Sequence, residues 1–184
     1  MSAVPHFPSL PDDARLVDVF QRYPESSFPL LAYHETVMRG PSPFTLGERE
    51  LIAAYVSGVN ACAYCHGVHT EVAQAFGVAE GLLAAALADL DSSPVDDKLK
   101  PVLAYVGKLT RTPALVRAAD AAAVFDAGWD EKALHDAVMV CALFNFMNRM
   151  VEGHGITADA EYFALSGKRL HDVGYDGLAK LLSD

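Results

Sequence analysis

Apolar residues recur with the period of an α-helix along nearly all of this 184-residue chain. Alanine and leucine fill many of these positions, and no alternating run of β-branched and aromatic residues is long enough to predict a strand. Helix-start and helix-stop signals divide the chain into about 8–10 segments of helical length. The sequence therefore predicts an all-α fold, built as a bundle of helices.

Local signals place the boundaries of these helices. Thr45 and Glu48 form a capping-box pattern, and Asp130 stands where the N-cap of a long helix is expected. Thr112 followed by Pro113 predicts another helix start. The predicted helices cover residues 11–23, 28–39, 46–59, about 60–77, 79–88, 96–109, 113–128 and 131–152, followed by two short helices with a turn near Gly174.

The same signals predict the domain organisation. Residues 1–10 contain two prolines and are expected to form an extended N-terminal arm. Residues 11–184 are expected to form a single domain, since 52% of the chain is hydrophobic. Within that domain, the turn-rich segment 90–97 separates a core of about residues 28–90 from a C-terminal helical half of about residues 95–184.

The charge of the chain excludes some classes of partner. Its 14 lysines and arginines against 24 aspartates and glutamates give a net charge of −10, which argues against nucleic acid or an anionic membrane as a partner.

The N-terminus lacks the basic and apolar regions of a secretory signal. The strongly apolar stretch 137–147 is too short to span a bilayer. We therefore expect a cytoplasmic protein.

The three cysteines are the first candidates for chemistry. Cys62 and Cys65 form a Cys-x-x-Cys pair at the predicted start of a helix, where unpaired backbone N–H groups and the helix dipole favour a thiolate. An odd count in a reducing compartment argues against a structural disulfide framework. Cys141 lies in the most apolar helix and is expected to be a core thiol.

His69 and Glu50 are placed to assist that pair. His69 follows Cys65 by four residues, so the two side chains share one face of a helix, and an imidazole there can take up the thiol proton. Glu50 precedes Cys62 by twelve residues, on the preceding helix. An antiparallel pairing of the two helices would allow its carboxylate to orient His69.

The residues alone leave other interpretations open. Cys62, Cys65 and His69, with His66 or Glu50, could supply four zinc ligands, although structural zinc sites usually draw on a second Cys/His pair that this chain lacks. Glu50 could also be a solvated charge, and His66 faces away from His69 on a helix.

A second polar group recurs at helical spacing further along the chain. Asn145 and Asn148, with Arg149 and Glu152, lie on an otherwise apolar helix. They would either line a pocket above the cysteines or form a buried hydrogen-bond network that fixes helix packing.

Glu50, Cys62, Cys65 and His69 match, position for position, the core motif of alkylhydroperoxidase D-like (AhpD-like) proteins in the carboxymuconolactone decarboxylase superfamily. The segment Phe144 to Arg149 and others resemble the longer branch called peroxidase-related proteins, and the resemblance covers most of residues 5–165. It implies an all-α fold with the Cys-x-x-Cys pair at the N-terminus of a central helix. It also implies a homo-oligomer, either a dimer or a hexamer.

The resemblance further implies a mechanism. Cys65 would be the peroxidatic thiol, deprotonated by His69 with the help of Glu50, and hydroperoxide would convert it to a sulfenic acid. Cys62, expected to be the more exposed cysteine, would then form a disulfide with Cys65. An external thiol or a lipoyl-bearing protein would reduce that disulfide, and no cofactor or metal is expected.

One residue departs from the family pattern. The best-studied members carry a histidine just before the second cysteine, where this chain has Tyr64, which cannot act as a base at neutral pH. A disulfide reductase or redox sensor without real peroxidase activity is therefore the main alternative. A decarboxylase-type lyase and a zinc-binding module are weaker ones. Tyr64, His66, Asn145 and Asn148 are the candidates for lining the site.

Overall fold

The computed structural model describes residues 4–183 of the chain. Nine α-helices and one short 3-10 helix, Pro113–Leu115, make up the regular structure of this range, and no strand occurs in it. The predicted all-α fold is thus confirmed. The α-helices are α1 (Leu16–Arg22), α2 (Pro24–Arg39), α3 (Leu46–Val59), α4 (Ala63–Ala75), α5 (Leu82–Ala88), α6 (Lys100–Arg111), α7 (Ala118–Asp126), α8 (Glu131–His154) and α9 (Ala160–Ser183).

Two predicted caps are present. The Thr45 hydroxyl accepts from the Glu48 N–H at 3.2 Å, and the Glu48 carboxylate accepts from the Thr45 N–H at 2.7 Å. The Asp130 carboxylate accepts from the Ala133 N–H at 2.8 Å and so begins α8. These side chains satisfy backbone donors that have no partner inside the helix.

Several predicted boundaries are wrong. Helix α2 begins at Pro24 rather than at residue 28, and α6 begins at Lys100 rather than at residue 96. The first helix begins at Leu16 rather than at residue 11, and the predicted helix 113–128 is divided into the 3-10 helix and α7. The division follows from Asp120, whose carboxylate accepts from the Arg117 N–H at 2.7 Å and restarts the helix there. Pro113 begins only the short 3-10 helix that precedes α7.

Helix α3 is the centre of the fold. It packs against α4, α8, α6, α5 and α2, and its residues from 49 to 57 are all buried. A tight turn joins α3 to α4, and in this turn Ala61 adopts a left-handed φ of 55°. This conformation is costly for a residue with a Cβ. It delivers Cys62 to the N-cap of α4 and leaves Cys65 in the first turn of that helix.

Helix α9 lies across α4 and α2. Two glycines allow the close approach: a Cβ on Gly67 would lie 2.4 Å from the Phe163 ring, and one on Gly167 would lie 2.4 Å from the Glu71 Cβ. The helical geometry breaks at Gly174, at φ 64° and ψ −168°. Within the described residues, no helix combines the length and apolar character needed to cross a bilayer.

Candidate active site

A buried ion-pair triad connects α2, α3 and α4. Glu50 is 0% exposed, and its carboxylate accepts from Arg39 Nη1 at 2.6 Å through one oxygen and from His69 Nδ1 at 2.6 Å through the other. Because a carboxylate only accepts, the Nδ1 atom of His69 carries the hydrogen, and Nε2 of the neutral ring keeps a free lone pair. The structure therefore brings together Glu50 and His69, which the sequence placed on neighbouring helices.

The charge state of Glu50 follows from its neighbours. Burial by itself would raise the pKa of this carboxyl, but the charges and hydrogen bonds of His69 and Arg39 outweigh it, and the net effect is a lowered pKa. Glu50 is therefore a carboxylate at neutral pH. A carboxylate fixed in this position holds the His69 ring in one orientation and one tautomer.

Cys62 and Cys65 are both free thiols, and both are buried. Cys65 is 3% exposed and Cys62 is 0% exposed, so the expectation that Cys62 would be the more exposed cysteine is wrong. Cys62 is the N-cap residue of α4, and its side chain belongs to the hydrophobic core. Hydrogen bonding with Cys65, followed by burial, raises the pKa of the Cys62 thiol well above its usual value. Cys62 therefore keeps its proton while it lies beside Cys65.

A cavity of about 50 Å³ lies in front of Cys65. Cys65 and His69 both line it, as expected for residues four apart on one helix face. Its volume is enough for a few water molecules or a small reactive group. Most of its wall is apolar. The other lining residues come from α1, α2, α4, α8 and α9: Leu16, Val17, Phe20, Leu31, His34, Tyr64, Val68, Phe144, Met147, Tyr162, Ser166, Arg169, Leu170, Tyr175 and Leu178.

His34 is a titratable residue of this cavity that the sequence did not single out. It is 3% exposed, its Nδ1–H donates to the Leu30 carbonyl at 2.8 Å, and its ring lies 5.0 Å from that of Tyr175. Burial lowers the pKa of His34 to about 4, with a smaller contribution in the same direction from His69. His34 is therefore a neutral imidazole at pH 7.

Tyr64 lines the cavity, but its hydroxyl is engaged elsewhere. It donates to the Tyr162 hydroxyl at 3.0 Å and accepts from the Leu16 N–H at 3.4 Å. Burial, followed by the neighbouring Tyr162, raises the pKa of Tyr64 well above 10. Tyr64 is therefore not a base, and it ties α4 to α9 and to the start of α1.

The other candidate lining residues lie outside the cavity. The Nδ1–H of His66 donates to the Ala54 carbonyl at 3.0 Å, on the side of α4 that packs against α3. Asn60 Nδ2 donates to the side-chain oxygens of Asn145 at 3.1 Å and Asn148 at 2.8 Å. These bonds join the end of α3 to α8 and fix the turn that precedes Cys62.

Sequence reasoning also missed Arg39, Arg169 and Tyr175. Arg39 ends α2 and was visible only as a basic residue near a helix C-terminus. Arg169 and Tyr175 come from α9, more than a hundred residues after the cysteines, and only their place on the cavity side of that helix would have marked them. Within residues 4–183, no three His, Cys, Asp or Glu side chains are arranged to hold a metal ion.

Residues 27–105 match the model of the carboxymuconolactone decarboxylase family, a range that contains Glu50, both cysteines and His69. No curated protein matches the chain.

Solved structures with the same fold come from three bacteria. An uncharacterized peroxidase-related protein from Silicibacter sp. TM1040 has a TM-score of 0.74 and 25% identity, with 80% of this chain and 78% of that one covered. A protein described as an alkylhydroperoxidase AhpD core, an uncharacterized peroxidase-related protein from Ralstonia eutropha JMP134, has a TM-score of 0.75 and 22% identity over 91% and 98%. A protein of unknown function from Agrobacterium tumefaciens has a TM-score of 0.65 and 18% identity over 77% and 97%.

Proposed function

We propose that the chain is an AhpD-like member of the carboxymuconolactone decarboxylase superfamily and that it is a thiol peroxidase that reduces organic hydroperoxides. The observation that carries the proposal is the shared cavity of Cys65 and His69, with His69 bound to the buried carboxylate of Glu50. The site thus contains Cys65 as the nucleophile, His69 as the base and Glu50 as the group that orients the base. The cavity gives a small reactant its place beside the nucleophile.

The first step is attack by Cys65. Nε2 of neutral His69 takes the thiol proton, and Glu50 stabilises the imidazolium that forms. The Cys65 thiolate attacks the terminal oxygen of the hydroperoxide, the O–O bond breaks, and the leaving alkoxide takes the proton back from His69 to depart as an alcohol. Cys65 becomes a sulfenic acid, oxidised by two electrons, and the hydroperoxide is reduced by two.

The second step restores the site. The Cys62 sulfur attacks the sulfur of the Cys65 sulfenic acid, and the hydroxyl leaves as water with the proton of the Cys62 thiol. One dithiol, either a small molecule or the lipoyl group of a carrier protein, then exchanges with the disulfide, returns both cysteines to thiols and is itself oxidised to a disulfide. We also propose a cytoplasmic homo-oligomer as the working form.

The burial of both thiols favours a small hydroperoxide over a protein disulfide as the oxidant of Cys65. A protein disulfide cannot reach sulfurs that are 0% and 3% exposed unless the covering helices open. A hydroperoxyl group is small enough for the cavity as it stands. Tyr64 does not supply the base that other members have between their cysteines, so His69 alone handles the proton.

The decisive experiment measures hydroperoxide consumption with dithiothreitol or dihydrolipoamide as reductant. Cys65→Ser should abolish turnover. Cys141→Ser is the matched control, because Cys141 is equally buried but bonds to Thr110 and lies outside the cavity. The proposal fails if Cys65→Ser and Cys141→Ser consume cumene hydroperoxide at the same rate. Brisk disulfide exchange without peroxide turnover would select the reductase alternative.

A further inference from the structure

Two buried hydrogen-bond donors in the cavity wall have no partner in the described part of the chain. Three buried side-chain nitrogen or oxygen atoms of residues 4–183 lack a hydrogen bond, namely Arg49 Nε, Arg169 Nε and the Tyr175 hydroxyl. The last two belong to residues that line the cavity in front of Cys65, whereas Arg49 does not. Buried donors are almost always paired in native proteins, so two orphan donors on residues that line one cavity point to a ligand acceptor there.

Arg169 brings a positive charge to this apolar cavity. It is half-buried, one of its Nη atoms donates to the Ser166 hydroxyl at 3.1 Å, and it forms no ion pair with any carboxylate among residues 4–183. Arg39, by contrast, is neutralised by Glu50. A guanidinium with its Nε–H free presents the planar edge that binds a carboxylate through two parallel bonds.

The second unpaired donor of the cavity wall, the Tyr175 hydroxyl, is neutral. Tyr175 is 4% exposed, its ring packs against His34 and under the Arg39 guanidinium at 5.2 Å, and its N–H donates to the Glu35 carboxylate at 2.8 Å. These contacts fix the ring while leaving its hydroxyl unpaired. Tyr175 directly follows the break in helical geometry at Gly174 and lines the cavity.

We infer that the cavity binds a small organic hydroperoxide that carries a carboxylate, with Arg169 paired to that carboxylate and Tyr175 donating to another oxygen of the same molecule. The inference rests on the proposed function for the identity of the reacting group. The anion-binding part depends only on Arg169, Tyr175 and the cavity. The net charge of −10 therefore does not describe the local environment of Cys65.

Binding without turnover tests the site. Butyrate is the probe, and butyramide, of nearly the same size but neutral, is its control. In reduced protein and without peroxide, butyrate should raise the melting temperature and slow the alkylation of Cys65 by iodoacetamide, and butyramide should do neither. Arg169→Gln should weaken butyrate binding about tenfold to a hundredfold, since hydrogen bonds to charged groups are the strong ones. Tyr175→Phe should weaken it by less.

Lys168→Gln is the matched control, because it removes one positive charge from the neighbouring position, where Lys168 is exposed and paired with Asp172. Butyrate binding should survive this change, and Arg169→Lys should keep part of it. The inference is overturned if butyrate does not raise the melting temperature of the wild-type protein more than butyramide does. This comparison does not depend on any variant folding. It is equally overturned if Arg169→Gln and Lys168→Gln bind butyrate alike. Butyrate binding without hydroperoxide turnover would refute the peroxidase proposal and leave the site standing.

Discussion

His34 should make the stability of the folded protein depend on pH in a defined window. Its pKa falls from 6.5 to about 4 on folding, because the ring is buried among α2, α8 and α9. Between these two values the unfolded chain binds a proton that the folded chain does not, so stability rises with pH. The stabilisation is complete above pH 6.5 and is lost as the pH falls toward 4. A shift of this size corresponds to about 3 kcal/mol.

The perturbation is His34→Gln. Glutamine cannot titrate. The change also removes the packing of the His34 ring against Tyr175 and Phe144, which lowers the unfolding free energy by the same amount at every pH. The variant should therefore be less stable at pH 7, yet lose about 2 kcal/mol less than the wild type when the pH falls from 7 to 4.5. His135→Gln, at an exposed position, should leave the wild-type slope unchanged.

The assay is urea unfolding at fixed protein concentration under reducing conditions, followed by the fluorescence of Trp129, the single tryptophan. Urea is uncharged, so it does not screen the charges that are being titrated. Wild-type and His34→Gln curves of unfolding free energy against pH that run parallel between pH 4.5 and 7 would refute the reasoning. They would mean that His34 is free to take up a proton in the folded protein.

Two further changes address the triad and the packing of α9. Glu50→Gln should lower kcat/KM for hydroperoxide about a hundredfold or more, because His69 loses the carboxylate that assists it as a base. The same change should reduce the unfolding free energy by about 3 kcal/mol, because it leaves the Arg39 guanidinium without its buried counter-charge. Near-normal turnover would show that the carboxylate does not assist the base. Gly67→Ala should destabilise the fold by about 1–3 kcal/mol in urea unfolding, since the added Cβ meets the Phe163 ring at 2.4 Å; an unchanged midpoint would show that α9 shifts without cost.

The sequence predicted the parts of this structure that depend on local signals. Thr45 and Asp130 were readable as helix caps because a cap needs only a side chain and a backbone N–H three residues away. The pairing of Glu50 with His69 was predictable as a possibility, since helical spacing and one short connection limit where the two side chains lie. The break at Gly174 was readable because glycine tolerates the left-handed region.

Other features could not be read from the sequence, for physical reasons. Nothing local distinguishes Arg39 or His34 from surface residues, because both acquire their roles from α3, α4 and α9, which pack on them from distant parts of the chain. The left-handed turn at Ala61 falls on a residue that disfavours it, so tertiary packing, including the Asn60 network, must hold it. The burial of Cys62 likewise depends on neighbours outside its own helix.

That burial makes the two halves of the proposed catalytic cycle unequal. Oxidation needs only a small molecule to enter the cavity, whereas reduction by a protein-borne dithiol needs the helices over Cys62 and Cys65 to open first. The reductive half is then limited by how often the open form occurs, and each opening costs apolar contacts made by α9. Under a steady supply of peroxide the protein would therefore accumulate as the disulfide.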